Sequence, residues 1–251
     1  MFCQNPLNKQ NIVNKSTNPG KFTSLNIAGN CKIILHDADD CSLIMETKVS
    51  DIDKIKINCQ DNILYITCDE DLDIIPVINI YIDKLKEIIT HGFVDIECAI
   101  NLTPNELNIY ADFDSNIKLF LSSTELEIHA AGSGELYLEG DVKNIKIISY
   151  EEISIKCNLI TTILTAWVNN SSSIIIKGNV ELIKATVRDE GFLKAIDSMT
   201  KEAKIKVENQ GDAQIYASEK AVVSTNNEGG LILKGKTKQI SEFTNNDDYI
   251  P

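Results

Sequence analysis

Histidine, tyrosine and tryptophan recur at a fixed spacing in this sequence. His91, Tyr110, His129 and Trp167 lie at multiples of one constant interval, and Ile148 takes the remaining step between His129 and Trp167. Aromatic rings aligned on one surface can stack on sugar rings or anchor a partner protein. The spacing therefore predicts a binding face made of these five residues, for a glycan or a cell-surface protein.

The same spacing has a simpler explanation, in which neighbouring side chains of a sheet pack on one another or are covered by the N-terminal strands. A zinc site formed by His91 and His129 is excluded in either case. If residues one interval apart lie on adjacent strands, His91 and His129 are two strand spacings, about 9–10 Å, apart, too far to share one ion. We expect no metal site and no cofactor.

Acidic residues gather in the predicted turns. Carboxylates on strands about 5 Å apart could share a calcium ion, but the sequence has no calcium-loop motif. Acidic turns are ordinary in a chain with a net charge of −13, so solvated turns are the simpler prediction. The residues concerned are Asp112, Asp114, Glu135, Glu151, Glu152, Asp189, Glu190, Glu208, Asp212 and Glu228.

The sequence offers little for catalysis. Enzymes that cleave polysaccharides need acid and base groups, or a cation facing uronate carboxylates, clustered on one face. The only arginine, Arg188, stands beside Asp189 and Glu190 in a predicted turn. We expect no catalytic residues and a non-enzymatic protein, with a polysaccharide lyase or hydrolase as the weakest alternative.

Charge and hydropathy exclude further classes of function. The pI near 4.7 argues against a nucleic-acid partner. No apolar run reaches the roughly 18 residues of a membrane helix, so we expect no transmembrane segment. The start, Met1–Pro6, is polar where a signal peptide would be apolar. The protein is then expected to be either cytoplasmic or exported through a signal peptide that this sequence does not contain.

A framework that repeats at the same interval must position these side chains. Five consecutive units each carry an apolar triplet in strand alternation, followed by a second alternating pair half a unit later. Self-similarity near twenty residues indicates a solenoid, and the asparagine ladder and helix signal of leucine-rich repeats are missing. The triplets are Leu107-x-Ile109-x-Ala111, Leu126-x-Ile128-x-Ala130, Ile145-x-Ile147-x-Ser149, Leu164-x-Ala166-x-Val168 and Ile183-x-Ala185-x-Val187.

Looser copies before and after these units bring the count to about eight. The sequence therefore predicts an all-β fold: a single-stranded β-helix (β-solenoid) of about eight rungs with a ~19-residue period, each rung about 4.8 Å from the next. Turn-forming residues such as Gly132-Ser133-Gly134 would join the two strands of a rung.

The chain divides into four predicted segments. Residues 1–20 and 236–251 are expected to be loose tails, because they are polar and lack apolar period. The apolar pattern of residues 21–87 predicts short strands in hairpin order that cap or flank the solenoid. Gln60-Asp61-Asn62 is the clearest turn between them. Residues 88–235 form the β-helix, continuous with 21–87 as one domain.

The seven cysteines include no Cys-x-x-Cys pair. Cys98 and Cys157 would both point inward but lie three rungs, roughly 14 Å, apart, too far for a bridge. In the predicted hairpin that contains Cys59 and Cys68, simple strand register does not place these two cysteines opposite each other. Buried or free thiols are the main expectation, with one or more disulfides left open.

An N-terminal strand region begins with Lys21–Asn30, and Leu-x-Leu strands later flank a corner at Gly132-Ser133-Gly134. In these features the chain resembles the auto-transporter adhesin "head GIN" domain family, from Lys21 to about Gly235. The resemblance implies a bacterial β-helix exported to the cell envelope or surface, with adhesin-like binding of a glycan or protein. The alternative is a structural envelope scaffold, or a protein that self-associates as a homo-oligomer.

Overall fold

A computed structural model describes residues 12–226, 228–237 and 239–242. These residues form strands almost throughout, with one short 3-10 helix, Val49–Lys54. The strands are β1 (Ile12–Thr17), β2 (Ser24–Ala28), β3 (Cys31–Asp37), β4 (Ser42–Lys48), β5 (Ile55–Gln60), β6 (Ile63–Cys68), β7 (Val77–Ile82), β8 (Glu87–His91), β9 (Val94–Cys98), β10 (Glu106–Ala111), β11 (Asn116–Ala130), β12 (Glu135–Ser149), β13 (Ser154–Val168), β14 (Ser173–Val187), β15 (Phe192–Ala195), β16 (Ser198–Val207), β17 (Asp212–Tyr216), β18 (Lys220–Thr225), β19 (Gly230–Lys234) and β20 (Gln239–Glu242).

The all-β solenoid predicted from the repeat is confirmed. Each strand from β11 to β14 runs along the second side of one rung, bends, and continues as the first side of the next. Face A denotes the outward side of 106–111, 125–130, 144–149, 163–168 and 182–187. Face B denotes the outward side of 116–121, 135–140, 154–159 and 173–178. Face C is the short third side at 141–143, 160–162 and 179–181.

The register between rungs follows the predicted step over the five central units. Leu107 lies beside Leu126, which lies beside Ile145, and so on to Ile183, always in parallel. One earlier rung is longer, because Tyr110 pairs with Ile89 and not with His91. The extra length lies between Cys98 and Leu102, since Leu102 returns to the common step by pairing with Leu121.

The backbone conformation at the corner between faces A and B explains why turn-forming residues occur there. One position in it has a left-handed backbone in successive rungs: Phe113, Gly132, Glu151, Asn170 and Asp189 have φ between 54° and 100°. At Gly132 a side chain would also collide, since a Cβ there would lie 2.1 Å from the carbonyl oxygen of Phe113. Glycine meets both demands at once.

The N-terminal strands continue the solenoid, which corrects the expected hairpin order. β2 lies parallel between β6 and β8, and β3 lies parallel between β7 and β9. Only β5 and β6 form the predicted hairpin, with Asp61 and Asn62 at positive φ in a two-residue turn. Two layers, β6 with β7 and β2 with β3, therefore stack ahead of the rung of β8 and β9.

Antiparallel strands cover the N-terminal end of the stack. β4 pairs with β7, β5 pairs with β6, and β1 pairs with β4. Residues 12–17 thus form an edge strand instead of the expected loose tail, because the open edge of β4 offers them backbone hydrogen bonds. Residues 1–11 lie outside the described residues.

The C-terminal end also differs from the expected tail. Gln239–Glu242 forms β20, parallel to β18, so the stack continues past Gly235. Residues 238 and 243–251 lie outside the described residues.

The core is a narrow column of isoleucine, leucine, valine and alanine between the sheets. Inward positions such as Leu136, Ile174 and Ala185 are fully buried. Cys98 and Cys157 are also inward and buried, and burial raises the pKa of the Cys157 thiol to about 12. They serve as apolar core residues. Among the described residues, no helix is long and apolar enough to cross a membrane.

Candidate functional site

Four of the five residues predicted to form the aromatic column lie side by side on face A. Tyr110, His129, Ile148 and Trp167 pair in this order on consecutive strands. His91 does not join them, because the longer rung shifts the register and puts Ile89 beside Tyr110. His91 instead lies near the corner, where its Nδ1 is 3.4 Å from Asp112 Oδ2.

The face A column is partly open to solvent. Tyr110 is 36% exposed and the His129 side chain 36% exposed, and Trp167 is half-buried. The N-terminal strands do not cover it, since they extend the stack lengthwise. The rings of Tyr110 and His129 stack with centroids 5.2 Å apart and planes 25° apart. Because they stack along the solenoid axis, each covers one face of the other.

Charged side chains on face A contact the residues of the aromatic column. Glu127 Oε1 lies 2.7 Å from His129 Nε2 and 2.8 Å from Lys146 Nζ. Hydrogen bonds from Lys146 and His129 lower the pKa of Glu127. The Lys146 ammonium also lies 5.9 Å from the centre of the Trp167 ring, within the range of a cation–π contact. Face A is thus a flat surface whose rings are already packed against neighbours.

Face B carries a second aromatic cluster, which was not predicted from the sequence. The rings of Phe120 and Tyr137 meet edge to face, with centroids 6.5 Å apart and planes 71° apart. The Lys118 ammonium is 5.4 Å from the Phe120 ring and 5.7 Å from the Tyr137 ring. The three side chains line a groove of about 560 Å³ that spans the neighbouring rungs.

Polar groups surround these rings, and one of them orients the ring of Tyr137. The Tyr137 hydroxyl donates a 2.6 Å hydrogen bond to Glu139, which raises the pKa of Tyr137. Asn116 donates to Asp95 at 2.9 Å. On the rim, Lys32 pairs with Glu97 at 2.8 Å. The groove therefore combines aromatic surface with carboxylate acceptors, the two kinds of group that recognise sugars and small polar ligands.

The sequence contains a signal for this cluster. Lys118 and Tyr137 are one repeat step apart and pair directly, while Phe120 follows Lys118 on the same outward side. The outward residues of the second strand of each rung recur with the same regularity as those of the first, so the cluster could have been found by aligning them.

Face C holds a second groove, of about 750 Å³. Ile160 and Met199 project into solvent here, 58% and 67% exposed. They flank Asn179 on adjacent strands.

The acidic corner residues do not converge on a common point. Asp189 accepts a hydrogen bond from Asn209, Glu190 from Ser171 at 3.3 Å, and Asp114 from Ser133. Among the described residues, no group of three or more histidine, cysteine, aspartate or glutamate side chains is placed to hold a metal ion. These three carboxylates instead pair with polar side chains on a neighbouring rung.

Arg188 is also held at the corner. Its Nε donates to Asn169 Oδ1 at 2.6 Å and lies 3.7 Å from Asp189. The guanidinium therefore joins two rungs at the corner.

Solved structures share this architecture. A protein described as a putative adhesin from Parabacteroides distasonis ATCC 8503 matches with a TM-score of 0.67 and 16% identity, over 92% of this chain and 97% of that one. A protein described in the same way from Bacteroides fragilis NCTC 9343 matches with a TM-score of 0.62 and 16% identity, over 93% and 98%. At such identities the likeness shows the fold alone.

A third structure carries a different description. A putative lipid binding protein from Parabacteroides distasonis ATCC 8503 matches with a TM-score of 0.59 and 15% identity, over 94% of this chain and 98% of that one. No curated protein matches the chain. The model of one family, described as "Putative auto-transporter adhesin, head GIN domain", matches residues 21–162 and 142–237. The chain belongs to this family.

Proposed function

We propose that this protein is a non-enzymatic binding module of the cell surface that holds a glycan in the face B groove. The observation that carries the proposal is the edge-to-face pair of Phe120 and Tyr137 beside Lys118. An edge-to-face pair covers less ring surface than the stacked pair of face A does, although Lys118 lies over part of both rings, so apolar ring surface remains for a sugar. Family membership supports an adhesin-like role and export.

The charges around the groove favour a neutral or amino sugar over an acidic one. Two lysines, Lys32 and Lys118, line it together with four carboxylates, and Lys32 is already paired with Glu97. Carboxylates accept hydrogen bonds from sugar hydroxyls but repel uronates and sialic acids. The net charge of −13 adds to that repulsion.

The test compares two tyrosines on different faces. Glycans immobilised on an array identify a ligand, and calorimetry then measures its affinity for the full chain and for Tyr137→Ala and Tyr110→Ala. We expect Tyr137→Ala to weaken binding about tenfold or more, because one aromatic contact and its ordering by Glu139 are lost. Tyr110→Ala should bind normally. Raised salt should leave the affinity for a neutral glycan unchanged.

Equal loss in both variants would point to a general effect on folding, which circular dichroism would reveal. Loss in Tyr110→Ala alone would move the site to face A. Preference for acidic glycans, or no glycan bound at micromolar protein, would contradict the proposal.

Face A is the second candidate surface, for a protein partner or a second copy of this chain. Its flat array of Tyr110, His129, Ile148 and Trp167 suits a broad contact better than a small ligand. Trp167 fluorescence should be readily quenched by iodide or acrylamide in the isolated protein and become protected at high protein concentration if copies associate. Unchanged quenching together with a monomeric mass in light scattering would argue against self-association through this face.

A further inference from the structure

Two cysteines meet at one corner of the solenoid, on adjacent rungs. Cys68 is the last residue of β6, and β6 lies beside β2, with Thr67 opposite Ala28. β2 then turns through Gly29 and Asn30 into β3, whose first residue is Cys31. The corner therefore brings together residues from two layers that are far apart in sequence.

Both side chains point into the core at this corner. Cys31 is 1% exposed and Cys68 3% exposed. The turn packs tightly on Cys68, since a Cβ placed on Gly29 would lie 2.0 Å from the carbonyl oxygen of Cys68 and 3.2 Å from its Cβ. The two sulfur groups interact: a hydrogen bond between them raises the pKa of Cys31 and lowers that of Cys68.

We propose that Cys31 and Cys68 are a disulfide site, oxidised when the chain folds in an oxidising compartment. Both are free thiols in the structure. The bond would close the chain segment that holds β4, the 3-10 helix and β5, the elements that cover the N-terminal end of the stack. Closing such a segment restricts the unfolded chain and so favours the native state.

The reaction is a thiol–disulfide exchange with a low-molecular-weight disulfide. The Cys68 thiolate attacks one sulfur of the reagent and releases a first thiolate. The Cys31 thiolate then attacks the Cys68 sulfur of the mixed disulfide and releases a second. Two protein thiols are oxidised, one reagent disulfide is reduced to two thiols, and the two protons pass to the released thiolates. Because the native corner is buried, the exchange takes place before the corner closes.

A bond between Cys59 and Cys68 does not fit the geometry of their hairpin. Cys59 lies opposite Leu64 and Cys68 opposite Ile55, so these two cysteines do not face each other in their hairpin. The thiols of Cys41 and Cys59 donate separately to the carbonyl oxygens of Phe22 and Lys21, at 3.6 and 3.7 Å. These two are partly exposed and serve as an internal comparison.

The experiment refolds the reduced, denatured full chain in a glutathione redox buffer and, in parallel, in dithiothreitol. In glutathione we expect two fewer free thiols, a mass lower by two hydrogens, and a peptide containing Cys31 cross-linked to one containing Cys68. The melting temperature should rise by roughly 5–15 °C over the reduced protein. Cys59→Ala should behave in the same way.

In Cys31→Ala the cross-link and the redox-dependent rise should both disappear. If this variant does not fold, Cys68→Ala and the peptide map of the parent protein still decide the matter. The proposal is overturned if all thiols stay free after refolding in glutathione, if Cys41 or Cys59 replaces either partner in the cross-link, or if oxidation leaves the melting temperature unchanged. None of these results depends on whether a glycan binds.

Discussion

Phe113 occupies a backbone conformation that disfavours its side chain. Its φ is 61°, and its ring is largely exposed, so little packing offsets the strain. A left-handed residue other than glycine costs roughly 1–2 kcal/mol, least for asparagine and aspartate. We expect Phe113→Asn to raise the free energy of unfolding by about 0.5–1 kcal/mol in denaturant titrations.

Asn170 provides the matched control at the equivalent corner position, three rungs further along. It has a φ of 55° and an exposed side chain. Asn170→Phe should lower stability by a similar amount. If both substitutions are neutral, the corner relaxes out of the left-handed region and the strain argument is wrong.

Ile174 and Ile175 are neighbours of the same type that face opposite ways. Ile174 is fully buried in the core, and Ile175 lies on face B beside Lys156. Ile174→Ala should cost about 2–5 kcal/mol, because the rigid stack cannot fill the cavity. Ile175→Ala should cost less than about 1 kcal/mol. Similar losses in urea titrations of the two variants would contradict the assigned inward and outward positions.

At the level of strands, β1 protects an edge that would otherwise be open. It pairs with β4 along its whole length, and Ile44 of β4 remains partly exposed beneath it. Deleting residues 1–17 should leave the melting temperature within a few degrees, because the core is untouched. It should promote self-association, measured by light scattering, since an exposed strand edge pairs readily with another. A shortened chain that stays monomeric at high concentration would show that β4 needs no cover.

The central strands could be predicted from the sequence because their spacing alone determines which residues pair. From Leu107 to Val187 every step has the same length, and the structure follows it. The position of His91 could not be predicted in this way. The extra length after Cys98 shifts the register of one rung, and nothing in the apolar pattern marks it as an insertion.

The order of the N-terminal strands was hidden for a different reason. β2 and β3 lie between the layer of β6 and β7 and the layer of β8 and β9, so the order in space departs from the order in the chain. Hairpin order assumes that consecutive strands pair, which holds here for β5 and β6. The face B cluster was predictable in principle, since Lys118 and Tyr137 obey the same step as the face A column.

For the whole molecule, stability should vary along the solenoid. Each rung contacts only its neighbours, so the free energy of local opening depends on how well both adjacent interfaces are packed. Inward residues from Leu126 to Val187 are almost completely buried. Near the C-terminal end, Val223, Leu231 and Leu233 are only partly buried.

Amide hydrogen exchange followed by mass spectrometry should therefore show the slowest exchange in 126–187 and faster exchange in 220–234. The N-terminal layers should be better protected than the C-terminal ones, because β4 and β5 cover the edges of β7 and β6. Ile174→Ala should speed exchange mainly in its own rung and the rungs beside it, while Ile175→Ala should leave the profile unchanged. Uniform protection from 24 to 234, lost everywhere at once in Ile174→Ala, would instead mean that the stack opens as a single cooperative unit.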